Sequence, residues 1–145
     1  MMLVLPTMAI AFARVSLHSR SKGHSAVAGA AYRAGVVLQD ERTGEIHDFT
    51  NRHDVAYQSI MLPDGANTQF AEREYLWNQV ELVEKRKDAQ VAKDVILALP
   101  KELTLDKHIE LARQFAYNHF VKHGLAADIA IHDHSDGNPH AHLYI

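Results

Sequence analysis

The sequence predicts an α+β protein, with a central antiparallel sheet of about five strands and helices packed mainly on one face. Three observations carry this expectation. Stretches such as Val55 to Leu62 alternate apolar and polar residues and stop at turn residues, here Pro63-Asp64-Gly65. Others repeat apolar residues at helical spacing, as do Ile109, Ala112, Phe115 and Phe120. Finally, Asp128–His132 and His140–Ile145 both alternate and flank the turn dipeptides Asp136-Gly137 and Asn138-Pro139, which makes them an antiparallel hairpin.

The elements follow in order. Residues 1–7 read as an N-terminal extension that adds nothing to the fold, and Ala9 to Leu17 as the first core strand. The opening stretch is apolar, but Pro6 interrupts it and it lacks the basic start of a signal peptide. A polar, basic loop from Ser16 to Gly23 leads to Ser25, an N-cap for the helix Ala26–Ala34. Val36 to Thr50, with its polar turn Gln39–Glu45, is a hairpin or an excursion. After the strand Val55–Leu62, an amphipathic helix runs from Thr68 to about Lys87, with Phe70, Trp77, Val80 and Val83 at helical spacing. Val95–Pro100 is a strand with a firm stop. Thr104 caps a further helix that Gly124 ends, and the final hairpin follows.

Composition narrows the function classes. At 145 residues and 47% hydrophobic, the chain builds one core and one domain over residues 1–145. The absence of cysteine excludes disulfides and thiolate metal sites and fits a reducing cytoplasm. A net charge of -3 argues against indiscriminate coating of nucleic acid but leaves room for a local basic patch. Eleven histidines are unusual; His18, His24, His47, His53, His108, His119 and His123 lack an evident partner and read mostly as surface residues.

The histidines of the final hairpin are different. A loop centred on Asp136 sets His132 across from His140 at roughly 5 Å, and the period of two puts His142 and Tyr144 on the same face. Three imidazoles then converge from two strands. That suits a divalent metal with positions left open for a substrate oxygen. The alternative is a solvated polar face. His134 has the right parity but sits in the turn, and ranks below His132.

Tyr32 is the one large, reactive side chain on a helix otherwise built of small residues. Either it packs against the sheet, or it is a phenol on a thin helix that a ligand backbone can approach closely.

Taken together, these stretches resemble the mobilisation relaxases of the MobA/MobL type, which include the TraA-like conjugative relaxases. The resemblance rests on Met8-Ala9-Ile10, Ser19-Arg20-Ser21, Ser25 to Gly35 around Tyr32, Asp40 to Glu45, Glu84 to Val95 running into Ala98-Leu99-Pro100, Glu102-Leu103-Thr104, and Asn138-Pro139-His140-Ala141-His142-Leu143. These stretches cover the chain nearly end to end, in the family's order.

The resemblance implies the HUH-endonuclease fold, with Tyr32 as nucleophile and His132, His140 and His142 holding a divalent cation, Mg or Mn. It implies nicking of single-stranded DNA at a transfer origin, giving a 5′-phosphotyrosyl DNA and a free 3′-hydroxyl. It also implies partners: origin DNA, relaxosome accessory proteins and the coupling protein of a type IV secretion system, in a bacterial cytoplasm. The family's domain continues past the His-x-His strand, so the stretch to Ile145 is expected to be incomplete at its C-terminal side. Arg14, Arg20, Lys22, Arg33 and Arg86 are candidate phosphate contacts by charge and by proximity to the motifs. Glu84 is a candidate for proton transfer or for orienting a metal ligand, with a surface ion pair as the alternative. Two other classes stay open: a metal-dependent hydrolase in which Tyr32 is structural, and a DNA-binding or metal-storage module without a reaction.

Overall fold

Alternating stretches form strands and apolar-periodic ones form helices in the computed structural model of the chain, which describes residues 13–84, 86, 89–135 and 137–145. The elements are β1 (Ala13–Ser19), α1 (Ala26–Ala34), β2 (Val37–Gln39), β3 (Ile46–Asp48), β4 (Val55–Met61), α2 (Arg73–Val83), β5 (Gln90–Ala98), α3 (Leu105–His119), β6 (Ala127–His132) and β7 (His140–Tyr144), with three short 3-10 turns between them. Five strands form one antiparallel sheet in the order β1-β5-β7-β6-β4, and β2 and β3 pair separately as a small hairpin. β7 therefore lies in the middle, bonded to β5 on one side and β6 on the other.

The period of two divides the sheet's residues between its faces. Val95, Leu97, Ile129, Ile131, Ala141 and Leu143 point one way and pack against Leu111, Ala112 and Ala116 of α3. Leu97, Ile129, Ile131 and Leu143 are wholly buried, and each such burial contributes about 1.5–3 kcal/mol. The opposite face carries the histidines and is covered by two helices, α1 and α2, through Ala26, Val27, Ala30, Ala31, Leu76 and Trp77. Two of the three helices thus share one face. Arg73 and Trp77 tie α2 down by donating to the buried Asp128 of β6.

Local chemistry sets the ends of α1. The Ser25 hydroxyl accepts from Ala28 N at 3.1 Å, and Gly35, at φ 69°, turns the chain in the left-handed region that suits glycine. The helix can lie close to the sheet because its inward residues are small.

Several boundaries differ from expectation. The described part of the first strand runs to Ser19, and it is an edge strand with Val15 58% and Leu17 47% exposed. It pairs only with β5, and α3 packs over β4, β6 and β7 instead. Residues 1–7 and 9–12, Lys87 and Asp136 lie outside the described residues. The helix expected from Thr68 is interrupted at Glu72, whose extended backbone separates a 3-10 turn from α2. Val83 is 72% exposed at the end of α2 and takes no part in the core. β5 begins at Gln90, five residues before Val95, because polar Lys93 and Asp94 mask its alternation. His108 is buried, with its Nε2–H donating to the Pro100 carbonyl, and is no surface residue.

Candidate functional site

The ladder between β6 and β7 pairs His132 directly with His140 and Ala130 with His142. The three rings cluster with centroids 5.4 Å (His132–His140), 4.6 Å (His132–His142) and 5.1 Å (His140–His142) apart. One nitrogen from each lies within 4.8 Å of the others, and among the described residues this is the group able to hold a metal ion.

Each ring is oriented by a hydrogen bond from one nitrogen, as histidine ligands usually are. His142 Nδ1–H donates to the Asp94 carboxylate at 3.0 Å, His140 Nδ1–H to the Asn138 carbonyl at 3.1 Å, and His132 Nε2–H to the Arg33 carbonyl at 2.7 Å. The other nitrogen of each can act as an acceptor, and that of His132, Nδ1, lies 3.5 Å from Arg52 Nη2. Burial, joined by the nearby His142 and Arg52 charges, lowers the His132 pKa to about 4, so its ring is neutral near pH 7. Burial alone would raise the Asp94 pKa, but hydrogen bonds from His142 and Arg33 outweigh it and hold the carboxyl at about 2. A donor set of three imidazoles backed by an ionised carboxylate fits a divalent cation.

α1 carries Tyr32. Its neighbour Arg33 supplies the carbonyl that holds His132, so helix and triad are joined by a hydrogen bond. The Tyr32 ring is 47% exposed and meets Phe49 edge-on at 5.2 Å. It is therefore accessible to solvent. The Arg52 guanidinium lies 4.4 Å from the ring centroid and also donates to the Tyr32 carbonyl at 3.0 Å.

Tyr144 shares the histidine face, but it is 1% exposed. It is stacked 4.6 Å from Trp77 and lies beneath the Arg33 guanidinium at 4.8 Å. Burial raises its phenol pKa further above the ordinary value. Arg33 is an interior residue: it donates to Asp94 at 2.8 Å and lies 3.2 Å from His18 Nε2. Arg20 is engaged similarly, donating to the buried Glu81 side chain at 2.6 Å and to the Arg86 carbonyl at 3.0 Å. Lys22 and Arg86 are exposed. Arg14 is exposed and lines a recess of about 360 Å³ with Ile96, Leu99, Pro139, His140 and His142. Glu84 lines a different recess, with Arg20, Arg42 and Glu81, and is not among the residues lining the one at His140 and His142. His134 lies 3.0 Å from Asp54, outside the triad.

Sequence reasoning missed Asp94, Arg52 and Asp54. Asp94 had a usable signal: extending β5 back by one period places it beside Tyr144 and one pleat from His142. Arg52 and Asp54 stand in the non-repetitive segment before β4, where spacing carries no information.

Comparison with known proteins identifies the family. The chain is 39% identical to the conjugal transfer protein TraA of Rhizobium radiobacter over 94% of its own length and 13% of that protein's. It is 43% identical to the mobilization protein MobL of Acidithiobacillus ferridurans over 79% of its length and 29% of that protein's. It thus spans a minor part of these curated relatives. A structure solved for "Molecular Basis of Vancomycin Resistance Transfer in Staphylococcus aureus" superposes with a TM-score of 0.87 at 38% identity, covering 92% of this chain and 68% of that one. The model of the MobA/MobL family matches residues 24–145, from just before the Tyr32 helix through the His-x-His strand, and the chain belongs to the MobA/MobL family.

Proposed function

We propose that this chain is the DNA-nicking domain of a conjugative relaxase of the HUH type, cutting one strand at a transfer origin through a covalent tyrosine intermediate. The observation that carries the reading is the single hydrogen bond joining α1 to the triad. It links the helix that carries an accessible phenol to three convergent imidazoles. Relatives named for conjugal transfer and mobilization supply the DNA context.

His132, His140 and His142 would hold the cation, which when bound withdraws charge from the phosphate oxygens and orients them. Imidazole donors suit manganese better than magnesium, which prefers oxygen ligands. Asp94 fixes the His142 ring and keeps its Nδ1 protonated, leaving Nε2 as the donor. Tyr32 Oη attacks phosphorus and loses its proton to solvent. The P–O3′ bond breaks, and the departing 3′ oxygen takes up a proton. One phosphodiester is exchanged for another, so the strand can be rejoined by the reverse step. Exposed Arg14 and Lys22 are the cations best placed to meet the DNA backbone. Accessory and coupling proteins would bring the origin to this domain in a bacterial cytoplasm. No helix among the described residues is long and apolar enough to cross a membrane.

The test is incubation with manganese and single-stranded oligonucleotides tiled across the DNA flanking the gene, followed by denaturing electrophoresis. The expected product is a protein–oligonucleotide adduct whose added mass maps to Tyr32. Cleavage without an adduct would assign a hydrolase instead, and binding without cleavage a DNA-binding module.

A further inference from the structure

Arg52 stands outside every chemical motif in the sequence, in the segment between the β2–β3 hairpin and β4. Its fork is fully engaged. Nε and Nη2 both donate to the Asp54 carboxylate, Nη1 donates to the Tyr32 carbonyl at 3.0 Å, and the guanidinium carbon lies 4.4 Å from the centroid of the Tyr32 ring. Nη2 is also 3.5 Å from His132 Nδ1. One side chain therefore touches the tyrosine by backbone and ring, and a triad histidine as well. It is held in place by a carboxylate that is itself only 9% exposed, while Arg52 is 15% exposed.

Such an arrangement restrains motion. Tyr32 lies in the last turn of α1, and on its exposed side Gly35 ends the helix. An unbraced phenol there would sample several rotamers. Only one rotamer can bring Oη in line with a phosphate at the triad, and a misplacement of about 1 Å costs on the order of 10²-fold in rate. A planar fork, bonded on one edge to Asp54 and with its carbon over the ring at 4.4 Å from the centroid, restrains that rotamer. Lysine, a point charge on a flexible stem, offers neither the fork nor the plane.

We propose that Arg52, held by Asp54, is a positioning residue that fixes the Tyr32 ring relative to the histidine triad. The inference rests on Tyr32 being the nucleophile, and it adds that the aim of the attack is set from outside α1. Asp54 neutralises the guanidinium, so Arg52 contributes geometry more than affinity for DNA.

The experiment compares wild type, Arg52→Ala and Arg52→Lys. Four readouts are taken: thermal melting, manganese affinity, oligonucleotide affinity, and the single-turnover rate of adduct formation. Ring ¹³C-labelled tyrosine adds an observation of Tyr32 that needs neither metal nor DNA. Arg52→Ala is expected to keep both affinities within about threefold and to lose about 100-fold in adduct rate. Its Tyr32 ring signal should move to the position of freely rotating tyrosines. Arg52→Lys should fail to restore either property, and it decides the matter if the alanine variant does not fold. Wild-type rate with an unmoved ring signal would overturn the proposal, as would a rate loss matched by an equal loss of DNA affinity. If wild type itself forms no adduct, the nicking function fails, and the ring signal still decides whether Arg52 holds Tyr32.

Discussion

Gly29 and Tyr144 are mutually required: a Cβ built on Gly29 would lie 2.1 Å from the Tyr144 hydroxyl and 2.8 Å from its Cζ. The helix that carries Tyr32 thus rests directly on the strand that carries His140 and His142. Tyr144 cannot yield, because Trp77 and His18 hold it from the other sides. Gly29→Ala should therefore lift α1 from the sheet and cost about 1–3 kcal/mol, the usual range for overpacking. Combining it with Tyr144→Phe, which removes the closest clashing atom, should recover part of the loss in a thermal melt. No recovery would mean that the strain lies elsewhere.

Burial separates the two tyrosines of the site chemically. Tyr144→Phe should still form the covalent DNA adduct and lose about 1 kcal/mol with its hydrogen bond to His18. Tyr32→Phe should melt like wild type, bind metal and DNA, and form no adduct. Peptide mass spectrometry on the wild-type product reads the outcome, and added mass on Tyr144 would refute the assignment.

Metal affinity should follow the triad and its backing carboxylate. His140→Ala is expected to abolish tight manganese binding in a calorimetric titration, and Asp94→Asn to weaken it by about 10–100-fold. His134→Ala, which removes a residue paired with Asp54 outside the triad, should change it little. A His134 variant as impaired as the His140 variant would reassign the ligands.

Stability should fall in mild acid. His18 and His132 both have pKa values lowered from 6.5 to about 4, chiefly by burial. Between those values the unfolded chain binds protons that the folded chain refuses, so their contribution is complete above about pH 6.5 and is lost as pH falls towards 4. Each group adds at most about 1.4 kcal/mol per pH unit. Urea unfolding of the metal-free protein at several pH values measures the slope, and His18→Gln should reduce it.

Much of this site was legible in the sequence because a strand's period of two is rigid. Once Ile129 and Ile131 are assigned to the core, His132, His140 and His142 must share the other face, and the pairing His132–His140 bears this out. Ser25 marked the start of the Tyr32 helix for an equally local reason. What escaped were residues whose meaning is set by distant parts of the chain. Asp94 reads as a polar interruption until His142 is seen against it. Arg20 and Arg33 read as free cations until Glu81 and Asp94 are found at their side.

Those two ion pairs bear on the DNA interface. Among the described residues no acidic side chain is paired with Arg14 or Lys22, whereas Arg20 is paired with Glu81. Arg14→Ala with Lys22→Ala should reduce the slope of log affinity against log salt by up to about 1.4, at ~0.7 per contact on single strands. Arg20→Ala should leave the slope nearly unchanged and lower the melting temperature. Fluorescence anisotropy across a salt series distinguishes the two, and an unchanged slope in the double variant would move the DNA path elsewhere.

The central place of β7 has a kinetic consequence. A strand bonded along both edges cannot fray alone, so its amides exchange with solvent only when the sheet as a whole opens. His140 and His142 are therefore set on the part of the backbone that unfolds last. Tyr32, in the last turn of a nine-residue helix, is on a part that can loosen more readily. In the proposed reaction the two halves of the chemistry sit on elements of unequal permanence: the triad would stay assembled between turnovers, and the adjustment that DNA requires would fall to the helix.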